Sequence, residues 1–141
     1  MEKSDEMAAS AVIIHSVEHA RAALAVAARL NRPIRIYSAE GAAAYAGAAW
    51  FLAVVAAAQS THPDARCDAV LDCGDQPGMA LAALRLGCRA IVLRGSPVTR
   101  KKIAEIAQAT AARLDRGARD ALDLRHCRDP ESAVMTWLAP S

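Results

Sequence analysis

The sequence predicts an α/β domain with a mostly parallel sheet. Short aliphatic runs, Ala11-Val12-Ile13-Ile14, Ile34-Arg35-Ile36-Tyr37, Ala69-Val70-Leu71 and Ala90-Ile91-Val92-Leu93, alternate with segments of helical spacing. Each run ends abruptly in polar residues: His15-Ser16, Ser38, Asp72-Cys73-Gly74-Asp75 and Arg94-Gly95-Ser96. A chain of 141 residues is long enough to bury such a core as one domain, and no linker or low-complexity tract divides residues 1–141.

Taken in order, Ser16 is placed to cap a helix from Val17 to about Leu30, and Asn31-Arg32-Pro33 stops it. The Ala-rich stretch after Ser38 forms one or two helices up to about Ser60, before the breaker His62-Pro63-Asp64. Pro77 suits the first turn of a helix that ends near Leu86-Gly87. Thr99 is expected to cap the next helix, with Ile103, Ile106, Ala107 and Leu114 on its apolar face. A weaker fifth unit follows, with Ala121-Leu122-Asp123-Leu124 as strand and Asp129-Pro130-Glu131 opening a helix that carries Val134, Trp137 and Leu138.

Bulk properties narrow the function classes. Hydrophobic residues are 54% of the chain but aromatics only 4%, so the core must be Leu, Val and Ile with close contacts through Ala. A formal charge of +2 gives no electrostatic footprint for nucleic acid or an anionic membrane; Arg100-Lys101-Lys102 reads as a solvated first helical turn. Cys67, Cys73, Cys88 and Cys127 form no CxxC pair, and the acidic, polar start, Met1 to Ser10, lacks a secretory signal. Reduced thiols in the cytoplasm are the expectation. Gly41 to Thr61 carries no formal charge and is long enough to span a bilayer, but its many alanines with Gly41, Gly47, Gln59 and Ser60 favour a buried helix over a membrane span.

In parallel α/β sheets, sites form at the carboxyl ends of strands. The polar residues there are His15, Ser38, Asp72, Cys73, Asp75, Arg94, Ser96 and His126. A Cys thiolate is a competent zinc ligand, with His15 and His126 as possible companions; alternatively Cys73 packs as a small apolar residue. Arg94 has two readings as well. It either binds an anion such as phosphate with the amides of Gly95 and Ser96, or pairs with Asp72.

Three stretches, in order and with fitting spacing, resemble the zinc-dependent class II fructose-bisphosphate and tagatose-bisphosphate aldolases. They are Ser38-Ala39-Glu40-Gly41-Ala42-Ala43-Ala44-Tyr45-Ala46-Gly47, Val70-Leu71-Asp72-Cys73-Gly74-Asp75, and Leu86-Gly87-Cys88-Arg89-Ala90-Ile91-Val92-Leu93-Arg94-Gly95-Ser96. The family's segments here are Ser-x-Gly-Ala-x-x-Tyr-x-Gly, His-Leu-Asp-His-Gly, and a strand ending in Asp-Gly-Ser. The likeness runs from about Ala11 to Leu114. It implies the first half of a TIM-like barrel, four to five parallel β/α units, with Asp72 in the place of the general acid/base. In that chemistry a metal polarises the substrate carbonyl while a carboxylate moves the proton.

The departures fall on the same motifs. Cys73 stands where the family has a zinc-binding His, Val70 where it has the motif's first His, and Arg94 where it has an Asp near the metal; Asp123 is the candidate for the fifth strand's acid. The family's later zinc ligand and phosphate-holding loops have no counterpart in these 141 residues. The expectation is therefore a chain without aldolase activity or metal. Asp72 would be retained, and Ser38, Asp75, Arg94, Gly95 and Ser96 would be ligand contacts for a small phosphorylated metabolite. A protein partner is the other expected occupant. The competing class is a lyase or isomerase on a small phosphorylated carbonyl compound, with Cys73, His15 and His126 holding zinc. Open strand edges should be covered by homo-oligomerisation, which could complete a barrel, unless the sheet is an open doubly wound one.

Overall fold

The computed structural model describes residues 9–139; the polar start read above lies, up to residue 8, outside the described residues. The elements are β1 (Ser10–Ile13), α1 (Val17–Leu30), β2 (Ile34–Tyr37), α2 (Ala42–Tyr45), α3 (Ala48–Thr61), β3 (Cys67–Asp72), α4 (Pro77–Arg85), β4 (Ala90–Val92), α5 (Pro97–Ala109), β5 (Arg113–Leu114), β6 (Leu122–Asp123) and α6 (Pro130–Leu138). Packing divides them into two compact units: residues 9–37, 54–68 and 118–139 form the first, and residues 38–53 and 69–117 the second.

In the first unit β1 lies between β2 and β6, parallel to both. Helix α1 exists because Ser16 accepts from the amide of His19 and because Ala20, Ala23, Leu24, Val26 and Ala27 make one buried stripe. Asn31 ends it in the left-handed conformation, its amide reaching back to Ala27 and Ala28. Asp129 caps α6 through the Ser132 amide, and Val134 and Leu138 are buried on that helix. The two helices pack together, and Arg32 reaches the carbonyl of Leu138. The Trp137 indole is 40% exposed yet donates to the Ala11 carbonyl at 3.0 Å, giving a partner to a β1 carbonyl that lies beyond the two residues paired with β6.

In the second unit β4 lies between β3 and β5, again all parallel. Helices α4 and α5 pack on this sheet and on each other. Val70, Leu71, Ile91 and Val92 of the strands, Leu93 just after β4, and Ala80, Ala83, Leu84, Ile103 and Ala107 of the helices are buried in this unit. Alanine on the buried faces permits that close approach, in keeping with a core holding so few aromatics.

The fold class is as expected, α/β with parallel strands, and neither unit closes its strands into a ring. Two local expectations need correction. Ser96, not Thr99, caps α5: its hydroxyl accepts from the Thr99 amide, because Pro97 takes the first helical position. Leu114 is not on that helix but in β5, since the helix ends at Ala109 and Ala111 turns the chain at φ 59°. The uncharged run breaks at Ala46-Gly47 into α2 and a 14-residue α3, about 21 Å long against an apolar bilayer core of about 30 Å. No helix among the described residues is long and apolar enough to cross a membrane.

Candidate functional site

The densest polar arrangement in the second unit centres on Asp72, the last residue of β3, 7% exposed. Its Oδ1 accepts from three donors: the Gly74 amide at 2.9 Å, the Gly41 amide at 3.0 Å and Arg94 Nη2 at 2.7 Å. Arg94 Nη1 donates to Oδ2 at 3.2 Å, making the contact two-pronged. Gly41 and Gly74 aim their amides this way from left-handed backbone, at φ 68° and 60°. A side chain there would be strained by conformation. Beneath them the buried Ser38 hydroxyl accepts from the Asp72 amide at 2.9 Å and donates to the Ala39 carbonyl. The Arg94 amide donates to the Gly74 carbonyl at 2.7 Å. One carboxylate thus ties together the turns after β2, β3 and β4.

The Arg94 side chain is 45% exposed. Its hydrogen bond to Asp72 raises its already high pKa against the opposing cost of burial, and the negative charges of Asp72, Glu40 and Asp75 add to the rise. Glu40 Oε1 lies 3.6 Å from Nη2 on an 84% exposed side chain. Of the two readings given for Arg94, the pair with Asp72 is the one its geometry forms. Ser96 is engaged as the cap of α5 and donates to Thr99 Oγ1 at 3.0 Å; Gly95 and Asp75 are exposed. Ser38, expected as a ligand contact, has its hydroxyl committed to the backbone.

Cys73 turns away from this cluster. It is 1% exposed, with Sγ 3.9 Å from the Leu71 carbonyl. Burial pushes its thiol up to about 12, with the neighbouring Cys88 and Asp72 acting in the same direction.

The first unit has its own polar cluster, at the ends of β1 and β6. His15 Nε2 lies 2.7 Å from Asp123 Oδ1, and the Arg125 amide donates to the same oxygen. Burial pushes the Asp123 carboxyl up, but the Arg125 amide and then His15 outweigh it and leave the pKa lowered. His19 is half-buried. Its Nδ1 accepts from the His15 amide at 3.0 Å, and its ring meets that of His15 edge-on at 5.8 Å. Burial and then His15 lower its pKa, against Glu18 and Asp123. His126 is exposed. Sequence reasoning missed Glu40 and His19. The Ser-x-x-His spacing that brings the His19 amide to the Ser16 cap was a usable signal; the approach of Glu40 to Arg94 had none.

The sequence profile of class-II fructose-bisphosphate aldolases matches residues 2–131. The chain belongs to that family. It is 30% identical over 83 residues to the plasmid-encoded fructose-bisphosphate aldolase of Cupriavidus necator, a match covering 59% of this chain and 24% of that one. A crystal structure from Coccidioides immitis described as a fructose-1,6-biphosphate aldolase superposes with a TM-score of 0.62 at 17% identity, over 76% of this chain and 44% of the other. The chain thus spans less than half the length of either relative, and the structural likeness is one of fold: the class II aldolase barrel, in part.

Class II aldolases are zinc-dependent, and the residues at these strand ends do not suit zinc. Zinc takes three or four nitrogen, thiolate or carboxylate ligands. Cys73 is a buried thiol whose thiolate is disfavoured. A guanidinium already sits 2.7 Å from Asp72 Oδ1, and it would repel a metal ion. Among the described residues no three His, Cys, Asp or Glu side chains are grouped to hold a metal.

Proposed function

We propose that this member of the class II aldolase family carries out no zinc-dependent aldol cleavage and instead holds a small metabolite, or a protein partner, at the strand ends around Asp72 and Arg94. The observation that carries the reading is the state of the Asp72 carboxylate. A proton-shuttling carboxylate must be free to meet substrate, whereas both oxygens of Asp72 are occupied by N–H donors, four bonds in all. The exposed flank of Arg94, with the half-buried Thr99 at the start of α5, leaves N–H and hydroxyl groups to hydrogen-bond a small metabolite. The reading also expects copies of the chain to associate. The exposed Tyr45, Leu86 and Val98 of the second unit are the apolar side chains such a contact would cover.

A second reading is a lyase or isomerase acting on a small phosphorylated carbonyl compound. It is favoured by one feature, the His15–Asp123 pair at 2.7 Å, a general-base arrangement at a strand end.

The deciding experiment measures metal content of freshly purified, untagged protein and of Cys73→Ala, with cleavage of fructose 1,6-bisphosphate assayed on both. The expected result is zinc well below stoichiometry in both proteins and no cleavage. Near-stoichiometric zinc that disappears in Cys73→Ala, accompanied by cleavage, overturns the proposal. Cleavage without zinc that is lost in His15→Gln would transfer support to the second reading.

A further inference from the structure

The mismatch with zinc has a positive side. Where the turns after β2, β3 and β4 of the second unit meet, three carboxylates, Asp72, Glu40 and Asp75, all act on one guanidinium. Asp72 is nearly buried, and a buried carboxylate needs compensation to remain charged. Two glycine amides supply part of it, and Arg94 supplies the only full positive charge among the hydrogen-bond donors to Asp72. The Arg94 backbone is itself pinned to the Gly74 carbonyl, so the guanidinium is delivered from a fixed base.

We infer that the Arg94 guanidinium is a built-in cation: it neutralises and fixes the Asp72 carboxylate where the three turns meet, so that this part of the fold neither needs nor admits a divalent metal. The inference rests on the reading that these strand ends are not a zinc aldolase site. It goes further by naming the group that replaced the ion and what that group does. Arg suits the task because its planar fork meets both carboxylate oxygens at once and stays charged at every relevant pH. If Arg94 loses its charge, the nearly buried Asp72 carboxylate keeps its two glycine amides but no full positive charge, and Glu40, which also lay against the guanidinium, adds a second negative charge that a hard divalent cation would offset. A site that rejects metal in the natural chain should accept one when the internal cation is removed.

The test compares thermal unfolding of wild type, Arg94→Gln and Arg94→Lys in calcium chloride against sodium chloride of equal ionic strength. Arg94→Gln should gain about 3–6 °C from calcium at roughly tenfold its dissociation constant. Wild type and Arg94→Lys, which keep a cation, should gain nothing. Adding Asp72→Asn to Arg94→Gln should abolish the gain. Should Arg94→Gln not fold, Arg94→His carries the test within one chain: stabilised by calcium near pH 8, where imidazole is neutral, and indifferent near pH 5, where it is charged. Stabilisation of wild type by calcium, or indifference of both the Gln and His variants, overturns the inference. Zinc content and aldol cleavage of wild type are separate measurements, so failure of the functional reading would be recognised independently of this outcome.

Discussion

Removing the Asp72 carboxylate should destabilise the protein in a graded way that reports what each of its bonds does. In Asp72→Ala the Gly41 and Gly74 amides lose their acceptor; each is partly buried and should cost about 1 kcal/mol, the low end of the range for an unsatisfied group. Arg94 loses a two-pronged partner, but its side chain is 45% exposed, so solvent screening holds that contribution to about 1 kcal/mol. The total is about 3 kcal/mol, or roughly 10 °C in Tm for a chain of this length. Asp72→Asn keeps an oxygen for the glycine amides and gives up only the charge, so it should cost about half as much. A double-mutant cycle of Asp72→Asn with Arg94→Gln, measured by urea unfolding, should return a coupling of about 1 kcal/mol. Equal losses for Ala and Asn would mean that the amide bonds carry nothing. A coupling below about 0.3 kcal/mol would mean that the ion pair carries nothing, and the reasoning built on it would fall.

The other outcomes concern groups that titrate. Burial pushes Cys67 and Cys73 up to about 12 and Cys88 up to about 11, so Ellman's reagent at about pH 8 should find Cys127 well before the other three, and all four after denaturation; fast labelling of Cys73 in the native protein would contradict its placement. Because these folded values lie above the ordinary 9.0, the stability they contribute is complete below pH 9.0 and is lost as pH rises towards their folded values, so unfolding should become easier in strong alkali. His19 has the opposite sign. Its folded value lies below 6.5, so the stability it contributes is complete above pH 6.5 and is lost as pH falls through the folded value. His19→Gln keeps an acceptor for the His15 amide and should lose less stability than wild type between about pH 7 and pH 5; parallel pH curves would rule this out. Asp123, also lowered, from 3.8, should contribute its loss separately, at still lower pH.

Elements whose signals were local could be read from the chain. Ser16 and Asn31 bound α1 through their own side chain and backbone, and the 14-residue helix is long enough to repeat its period over about four turns, with five residues in its buried stripe. The weak points were places where local signals compete or are too short. Ser96 and Thr99 are both good capping residues, and only Pro97 between them decides for the first. Strand β5 is two residues long, Arg113–Leu114, with nothing in its composition to mark it. It exists because β4 offers an open edge and Arg113 and Asp115 donate to the Arg89 and Ile91 carbonyls. The break of the uncharged run at Ala46-Gly47 was half-legible: glycine marked a weak point, but whether the helix continued depended on packing.

The candidate site shows the same division at finer scale. Asp72 and Arg94 are 22 residues apart, yet their meeting follows from the fold class. In the parallel pair β3–β4, Asp72 is in register with Val92, and the Arg94 amide donates to the Gly74 carbonyl, so Arg94 leaves the sheet beside the turn after β3, within reach of Asp72 through its side chain. Any reading that identified both strands was bound to consider the pair. The orientation of Cys73 was harder. Adjacent residues of extended chain point to opposite sides, so an Asp and a Cys side by side in sequence share a ligand only if the turn between strand and helix rotates one of them. Here Gly74, in left-handed backbone, folds the turn so that its amide returns to Asp72. Cys73 stays on the core side, with Sγ against the Leu71 carbonyl. The thiol belongs to the core and the carboxylate to the turns, and it is Arg94, supplied by the next strand, that completes the coordination of Asp72.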